Sequence, residues 1–274
     1  MTSTQNVADT SDSILLKEVD DNGILRLTLN DAKRRNALSD EMMLDLSEAL
    51  DQAAEDKDIR VVVLAANGPA FCAGHDLKQI KAGRLSEDKG LAYFTKVFAN
   101  CAALMQKIVN NPKPIIAEVT GIATAAGCQL VASCDLAVSA KSARFATPGV
   151  HIGLFCSTPM VALSRNVSNK HAMEMLMAGD MVSAKKAAKI GLINQAVKDK
   201  NLRQVTMDLA AKIASKSTMT LAIGKQAFYQ QREMPLAEAY QYASDIMVQN
   251  LLKQDAIEGI DAFVEKRKPE WSDQ

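Results

Sequence analysis

A run of small side chains at residues 121–127, GIATAAG, is the segment of this sequence best suited to binding a ligand through the backbone. Residues 115–119 before it have the apolar, β-branched character of a strand, and residues 128–133 after it are typical of a buried helix. The first N–H groups of a helix have no intrahelical acceptor and carry the positive end of its dipole. Because small residues let a ligand carbonyl or anion come close, the segment predicts such a site, or else a helix packed tightly on a sheet.

A second loop of small residues follows another predicted strand. Residues 60–65 form a continuous apolar run of the kind that is buried on both faces of a sheet, and a turn follows at residues 67–69. The next segment, FCAGHDLK at residues 71–78, places a histidine and an aspartate directly after a glycine. Its glycine spacing differs from that of a phosphate loop, and no GxGxxG follows any predicted strand. The sequence therefore gives no support to nucleotide hydrolysis or dinucleotide redox chemistry.

The elements that must position these two loops alternate along the chain. Residues 14–19 and 24–29 predict two strands joined by a hairpin at Asn22-Gly23. Ser39 is a suitable N-cap for a helix that continues to about residue 55, and residues 91–109 predict another helix. Repetition of strand, turn and helix indicates an α/β fold with parallel strands and right-handed crossovers. Both loops then lie at the carboxyl ends of strands, where ligands commonly bind.

Composition limits the classes of partner. The 274-residue chain is long enough for one large domain, and its 32 acidic and 32 basic side chains balance. We therefore expect neither nucleic acid nor a membrane as partner, and we expect no secretion signal or membrane span. Five cysteines without CxxC spacing and three scattered histidines predict a reducing compartment and no metal site. We expect a cytoplasmic protein, and the mitochondrial matrix stays open.

Five segments, in this order, resemble the enoyl-CoA hydratase/isomerase (crotonase) family. They are FCAGHDLK (71–78), GIATAAGCQLVASCD (121–135), ARFATPGVHIGL (143–154), AMEMLMAGDMVSAKKAAKIGLINQAV (172–197) and AFVEKRKPEW (262–271). The resemblance implies a crotonase (ClpP-like) fold of repeated ββα units at residues 14–200, which holds an acyl-CoA site. It also implies a C-terminal helical region at residues 201–274 that forms a homotrimer, or a hexamer of two trimers. Residues 1–13 are polar and are expected to be a disordered tail.

The resemblance assigns the two loops a shared role. The backbone N–H groups of His75 and Ala126 correspond to the family's oxyanion-hole donors, which stabilise charge on a thioester oxygen as the acyl group becomes enolate-like. Such donors accelerate a reaction because they bind the enolate more strongly than the starting carbonyl. For the His75 side chain, two interpretations stay open: it shapes the pocket, or it titrates in the reaction.

The resemblance also implies residues that contact coenzyme A. They are Lys33, Arg35, Ala73, Asp76, Leu77 and Lys78, with Phe263 and Lys266 supplied by a neighbouring subunit. Basic and aromatic groups suit the phosphates and the purine, although Lys33 and Arg35 are equally compatible with a solvated basic loop. No bound cofactor is expected, because coenzyme A enters as part of the acyl-CoA substrate.

The departures from the family pattern concern acid and base groups. Gln129 and Gly149 stand where the resemblance places the two hydratase glutamates. A glutamine side chain has no proton-accepting pKa near neutrality, and a glycine supplies no side chain at all. His151 would share a face with Gly149 in an extended segment, and it is either a titrating group or a satisfied loop histidine. We interpret Asp135 as structural, and we expect Glu118 at the surface or at a subunit contact.

Two functions follow from this pattern. The first is an enoyl-CoA hydratase/isomerase-family enzyme that stabilises a thioester enolate, with weak or altered hydratase activity. Decarboxylation or thioester hydrolysis would fit it, because loss of carbon dioxide itself generates the enolate. The second is a non-catalytic, regulatory oligomer that binds acyl-CoA. The sequence fixes neither the acyl chain nor the choice between these functions.

Overall fold

A computed structural model describes residues 13–274. The predicted tail therefore lies outside the described residues except for Ser13. In the described part, ten strands form two sheets, as the repeated ββα pattern requires. The strands are β1 (Leu15–Val19), β2 (Ile24–Leu29), β3 (Val61–Ala66), β4 (Ala70–Cys72), β5 (Ile115–Val119), β6 (Ile122–Thr124), β7 (Leu136–Ala140), β8 (Arg144–Ala146), β9 (Val182–Ser183) and β10 (Gln195–Val197).

The larger sheet has the order β1-β2-β3-β5-β7-β10, and the smaller sheet has the order β4-β6-β8-β9. Strands β2, β3, β5, β7 and β10 pair in parallel, and so do β4, β6 and β8. Three times the chain leaves a strand of the larger sheet and enters a short strand of the smaller one: from β3 to β4, from β5 to β6, and from β7 to β8. This repetition confirms the predicted fold class.

The short strands correct two sequence predictions. Residues 121–127, expected as one turn, contain β6, and the following helix already begins at Ala126. Residues 70–72, expected as loop, form β4. A three-residue strand is stabilised by partners distant in the sequence, so a local pattern does not reveal it.

Eleven α-helices complete the described part of the chain. They are α1 (Asp40–Glu55), α2 (Leu77–Gly83), α3 (Leu91–Asn110), α4 (Ala126–Ser133), α5 (Ser157–Ser164), α6 (Asn169–Ala178), α7 (Ala184–Lys189), α8 (Leu202–Ala214), α9 (Thr218–Gln231), α10 (Leu236–Leu251) and α11 (Gln254–Glu265). The predicted N-cap is confirmed, since the Ser39 side chain accepts a hydrogen bond from the Met42 N–H.

The two faces of the larger sheet are covered differently. Helices α1, α3 and α4 pack on one face and form the main hydrophobic core. The other face is covered by α8 through Ala210 and Ala214, which contact Ile24, Val63 and Ile116. Helices α9 and α10 contain no fully buried residue, and α10 exposes large apolar side chains such as Leu236, Tyr240 and Met247.

The sequence suggested that Glu118 lies at the surface or at a subunit contact, but the structure buries it inside the subunit. Glu118 is only 4% exposed, and its carboxylate accepts two hydrogen bonds from Arg26, at 2.9 Å and 2.7 Å. Arg26 lies on β2 and Glu118 on β5, with β3 between them. The sequence did not show this partner because 92 residues separate the two side chains.

Candidate active site

Two turns meet at the carboxyl ends of neighbouring strands β4 and β6. The hydroxyl of Thr124 donates to the Ala73 carbonyl at 3.2 Å. A Cβ atom on Gly74 would lie 3.0 Å from the Ala125 Cβ and 3.4 Å from the Ala126 nitrogen. The turn that carries His75 is thus in direct contact with the first residue of α4.

The backbone N–H groups of His75 and Ala126 are both free of protein acceptors. Ala126 is the first residue of α4, and the first backbone donation within that turn comes from Gln129, to the Ala125 carbonyl at 3.0 Å. On the other turn, Leu38 donates to the Gly74 carbonyl at 2.8 Å and so pairs with the residue before His75. Among the hydrogen bonds between described residues, neither amide appears as a donor. Both are therefore available to a ligand acceptor.

The turn before α4 is held tightly. Ala125 has φ 51° and ψ −120°, a conformation that an L-residue adopts only under strain. A Cβ atom on Gly127 would lie 2.1 Å from the Cys72 carbonyl oxygen, so only glycine fits against β4. Close packing of α4 on β4 thus fixes the position of the Ala126 amide.

The His75 imidazole makes no hydrogen bond of standard geometry to the described residues, although the Leu38 carbonyl lies close enough to favour its protonated form. Both ring nitrogens are inaccessible to solvent and lack a hydrogen bond to any described residue. The ring packs edge-on against Phe98, with 5.3 Å between the centroids. Burial lowers the pKa of His75, while the Leu38 carbonyl and the charge of Asp40 act in the opposite direction. Because the net shift is downward, the ring is neutral at pH 7.

Gln129 occupies α4 one turn after Ala126. The residue is 5% exposed, and its side-chain oxygen is buried without a partner among the described residues. Its own carbonyl accepts a hydrogen bond from the Ser133 hydroxyl at 2.9 Å. The side chain thus presents an uncharged amide at this position.

Gly149 lies where a side chain has no room. Its N–H donates to the Cys156 sulfur at 3.3 Å. A Cβ atom there would be 2.7 Å from the Leu154 carbonyl oxygen and 2.9 Å from the Cys156 sulfur. A glutamate at this position would therefore require movement of the backbone.

His151 does not share a face with Gly149, and that expectation was wrong. Residues Pro148–Ile152 form a 3₁₀ helix instead of an extended segment, and with three residues per turn such a helix turns residues two apart to different sides. The exposed His151 ring instead places its Nε2 3.0 Å from the Ala178 carbonyl oxygen. This agrees with the alternative of a satisfied loop histidine.

The residues proposed for coenzyme A fall into two groups. The Ala73 N–H donates to the Arg35 carbonyl at 3.1 Å, which joins the Lys33–Arg35 loop to the turn after β4. Asp76 caps α2 by accepting from the Lys78 N–H at 2.8 Å. The side chains of Lys33, Arg35, Leu77 and Lys78 are exposed beside this turn. Phe263 and Lys266 lie at the end of α11 and make no hydrogen bond or ion pair with these residues in the described chain; Phe263 is 85% exposed.

Sequence reasoning missed Asn36, which holds the basic loop in place. Its amide nitrogen donates to the carbonyls of Asn67 and Ala70, both at 2.8 Å. Its side-chain oxygen accepts from the Asp31 N–H at 2.7 Å. Asn36 has φ 52°, and asparagine tolerates this left-handed conformation. The only available signal was an asparagine next to a basic cluster.

The buried cysteines near the site are inert. Burial raises the pKa of Cys128 and of Cys72 to about 12, so both remain protonated thiols near neutral pH. No cluster of metal-ligating side chains occurs within residues 13–274. The described part of the chain also contains no helix long and apolar enough to cross a membrane.

The C-terminal end of α4 is joined to neighbouring elements through Asp135. The Asp135 carboxylate accepts from the Ile115 N–H at 2.7 Å and from the Tyr229 hydroxyl at 3.0 Å, and it pairs with the Lys225 ammonium at 2.7 Å. Lys225 also donates to the carbonyls of Ile108 and Lys113, at 3.0 Å and 3.1 Å. Asp135 therefore joins α4 to the core and to α9, in agreement with its structural interpretation.

Repeated ββα units, with two free amides at adjacent turns, define a protein of the crotonase fold. The family model described as enoyl-CoA hydratase/isomerase matches residues 20–274, and the chain belongs to this family. It is 48% identical to the Mus musculus protein "Enoyl-CoA hydratase domain-containing protein 3, mitochondrial" over 250 residues, which cover 91% of this chain and 82% of that protein. The Homo sapiens protein of the same name is 47% identical, with 91% and 81% covered.

Solved structures agree with this assignment. A crystal structure of an enoyl-CoA hydratase from Mycobacterium smegmatis matches with a TM-score of 0.91 and 49% identity, and the match covers 95% of this chain and 99% of that one. The human enoyl Coenzyme A hydratase domain-containing protein 3 matches with a TM-score of 0.89 and 45% identity, covering 94% and 100%. Both the α/β core and the helical C-terminal region are thus family features.

Proposed function

We propose that this protein binds an acyl-CoA thioester and stabilises the thioester enolate with the N–H groups of His75 and Ala126. The observation that supports the proposal is that these two amides, which make no backbone hydrogen bond among the described residues, lie on turns that contact each other. Two fixed donors beside one oxygen stabilise an enolate more than a carbonyl, and one such donor contributes about 10²–10³ in rate.

The reaction that fits best needs little side-chain proton transfer. Gln129 has no useful basicity, and Gly149 has no space for a side chain. Loss of one acid or base group typically costs about 10²–10⁴ in rate, so ordinary hydration of a 2-enoyl-CoA would be weak. Decarboxylation fits because the departing carbon dioxide leaves its electron pair as the enolate. Thioester hydrolysis is a further reaction of the same site. The same features also favour a non-catalytic acyl-CoA-binding oligomer.

A pair of ligands tests the amide role without altering the protein. Butyryl-CoA has a carbonyl oxygen, whereas the thioether S-butyl-CoA has the same chain without it. We expect the thioester to bind about tenfold more tightly in calorimetry, since it adds hydrogen bonds to both amides. Equal affinities would exclude the oxyanion role, and binding of neither would exclude the coenzyme A site.

An assay of turnover distinguishes the hypothesis of an enzyme from the hypothesis of a non-catalytic binding protein. Crotonyl-CoA, malonyl-CoA and 3-hydroxybutyryl-CoA are assayed for hydration, decarboxylation, dehydration and hydrolysis. Sustained release of product with any of them supports the enzyme. Saturable binding without turnover supports the regulatory protein.

The basic loop and the C-terminal helices complete the proposed site. Exposed Lys33 and Arg35 would meet the phosphates, and Phe263 and Lys266 would reach the site of a neighbouring subunit in a trimer or hexamer. Apolar residues exposed on α10 and α11, such as Leu236, support such an assembly. Light scattering coupled to size exclusion tests it, since a monomer would contradict it. The vertebrate relatives are named mitochondrial, which supports the mitochondrial matrix as the compartment.

A further inference from the structure

Helix α11 has little apolar packing within its own subunit. Only two of its residues, Asp255 and Ala262, are buried. Its large apolar side chains are between 45% and 85% exposed; they are Ile257, Ile260, Phe263 and Val264. Hydrophobic contacts within the subunit therefore do not by themselves fix the orientation of this helix.

A strap, residues 267–274, runs back along α11 and supplies polar contacts instead. The chain reverses at Lys266, which adopts the left-handed conformation with φ 55°. The Arg267 guanidinium donates to both carboxylate oxygens of Glu258, at 2.6 Å and 2.8 Å. The Glu270 N–H donates to the same carboxylate at 2.8 Å. The first half of the strap is thus bonded to the middle of α11.

The second half of the strap is bonded to the first turn of α11 through the buried carboxylate of Asp255. This residue is 2% exposed. One carboxylate oxygen accepts from the N–H and the hydroxyl of Ser272, at 2.8 Å and 2.9 Å. Both oxygens accept from the Asp273 N–H, at 3.2 Å and 3.1 Å. Because a buried carboxylate needs hydrogen-bond partners, Asp255 and the strap hold each other in place.

The strap also joins α11 to the body of the subunit. The Asp273 carboxylate accepts from the Thr218 N–H at 2.6 Å and pairs with Arg60 at 3.1 Å. The Trp271 indole N–H donates to the Ser215 carbonyl at 2.9 Å. Ser215 and Thr218 lie at the junction of α8 and α9, and Arg60 directly precedes β3. The strap therefore fixes α11 relative to the larger sheet and to two other helices.

We propose that Asp255 and Trp271 are positioning residues for binding of the nucleotide part of coenzyme A. Through the strap they hold α11 in the orientation in which Phe263 and Lys266 reach the site of a neighbouring subunit. The inference rests on the proposed function, which assigns these two residues to coenzyme A. Neither positioning residue touches the ligand, so their loss should weaken binding of the nucleotide and leave binding of the acyl-pantetheine part unchanged.

Two thioesters separate these parts of the ligand. Butyryl-CoA contains the nucleotide, whereas butyryl-pantetheine has the same thioester without it. In calorimetry on the wild-type protein we expect butyryl-CoA to bind at least about tenfold more tightly. Equal affinities would overturn the inference while leaving the thioester site intact. Binding of neither compound would remove the proposed function, and the inference with it.

Two variants release the strap to different degrees. Asp255→Ala removes the buried acceptor, and Trp271→Phe removes only the indole N–H and keeps an aromatic ring near Gly259, whose Cβ would lie 3.3 Å from the indole. Each should lower the ratio of the two affinities toward one, with the affinity for butyryl-pantetheine unchanged. The control is Asp261→Ala, at an exposed position of the same helix, which should keep the wild-type ratio. An equal loss for both thioesters would mean a purely structural role and would overturn the inference. Trp271→Phe decides the matter if Asp255→Ala does not fold.

A combined variant tests whether the strap acts through the two residues on α11 and after it. In a protein that already carries Phe263→Ala and Lys266→Met, Trp271→Phe should change the affinity ratio no further, because a positioning residue has nothing left to position. A further decrease would overturn the inference. Light scattering should give the wild-type mass for Trp271→Phe, since dissociation would show that the strap acts on assembly instead.

The fluorescence of Trp271 reports directly on the strap, because this is the only tryptophan of the chain. In Asp255→Ala we expect stronger quenching by acrylamide than in the wild type, as the indole leaves its place between α8 and α11. Asp261→Ala should show the wild-type quenching. Equal quenching in all three proteins would contradict the dependence of the strap on Asp255.

Discussion

The two ends of helix α4 differ in whether their buried polar groups have hydrogen-bond partners within the protein. At its C-terminal end the Asp135 carboxylate is saturated by Lys225, Tyr229 and the Ile115 amide. At its N-terminal end the Ala126 N–H and the Gln129 side-chain oxygen have no partner among the described residues, and Ala125 before them is strained. Because the anchored end holds the helix in place, the other end can present unpaired groups without collapsing around them. The difference separates polar residues that stabilise this fold from those available to a ligand.

Removing the ion pair between Lys225 and Asp135 should have the largest effect on stability. Lys225→Met leaves the Asp135 charge buried without its main partner, so we expect a loss of about 3–5 kcal/mol in the free energy of unfolding. Urea denaturation measures it. The control is Lys107→Met, which removes an ion pair with Asp51 at 2.6 Å on the surface and should cost under about 1 kcal/mol. Equal losses of unfolding free energy in the two variants would show that the ion pair of Asp135 stabilises the fold no more than a surface ion pair does.

Pushing the N-terminal end of α4 away from β4 should have the next largest effect. Gly127→Ala places a methyl group 2.1 Å from the Cys72 carbonyl oxygen, which we expect to cost about 1–3 kcal/mol. The shift should also abolish the preference for butyryl-CoA over S-butyl-CoA. Gly224→Ala in α9 is the control, since nothing lies within 4 Å of the new methyl group and stability should rise by up to about 1 kcal/mol. An unchanged ligand preference in Gly127→Ala would argue against a fixed Ala126 amide.

Relieving the strained turn should have a smaller effect of the opposite sign. Glycine adopts the φ 51° conformation of Ala125 without a steric penalty, so Ala125→Gly should raise the free energy of unfolding by about 1 kcal/mol. Ala99→Gly, at an exposed position inside α3, should instead lower it by about 0.5–1 kcal/mol. A loss of stability in both variants would show that the turn before α4 stores no strain.

The sequence predicted features set by local chemistry. The Asn22-Gly23 hairpin and the Ser39 cap were correct because turn and cap residues act on their immediate neighbours. The short strands β4, β6 and β8 were not predicted, since each depends on pairing with segments far along the chain. The sequence did not single out Lys225 either, because its carboxylate partner Asp135 is 90 positions away.

The smallest expected effect is on the pH dependence of stability, which tests whether the His75 imidazole, beside the N-terminal end of α4, is neutral in the folded protein. Burial lowers the pKa of His75, so below about pH 6.5 the unfolded chain takes up a proton that the folded chain resists. This contribution therefore destabilises the fold as pH falls, and it vanishes above the pKa of the unfolded state. Between about pH 7.5 and about pH 5.5, wild-type stability should decline more than that of His75→Phe in urea denaturation. His151→Phe, which removes an exposed ring, should keep the wild-type decline. Identical declines in wild type and His75→Phe would mean that the imidazole takes up its proton as readily in the folded protein, which is incompatible with a buried neutral ring.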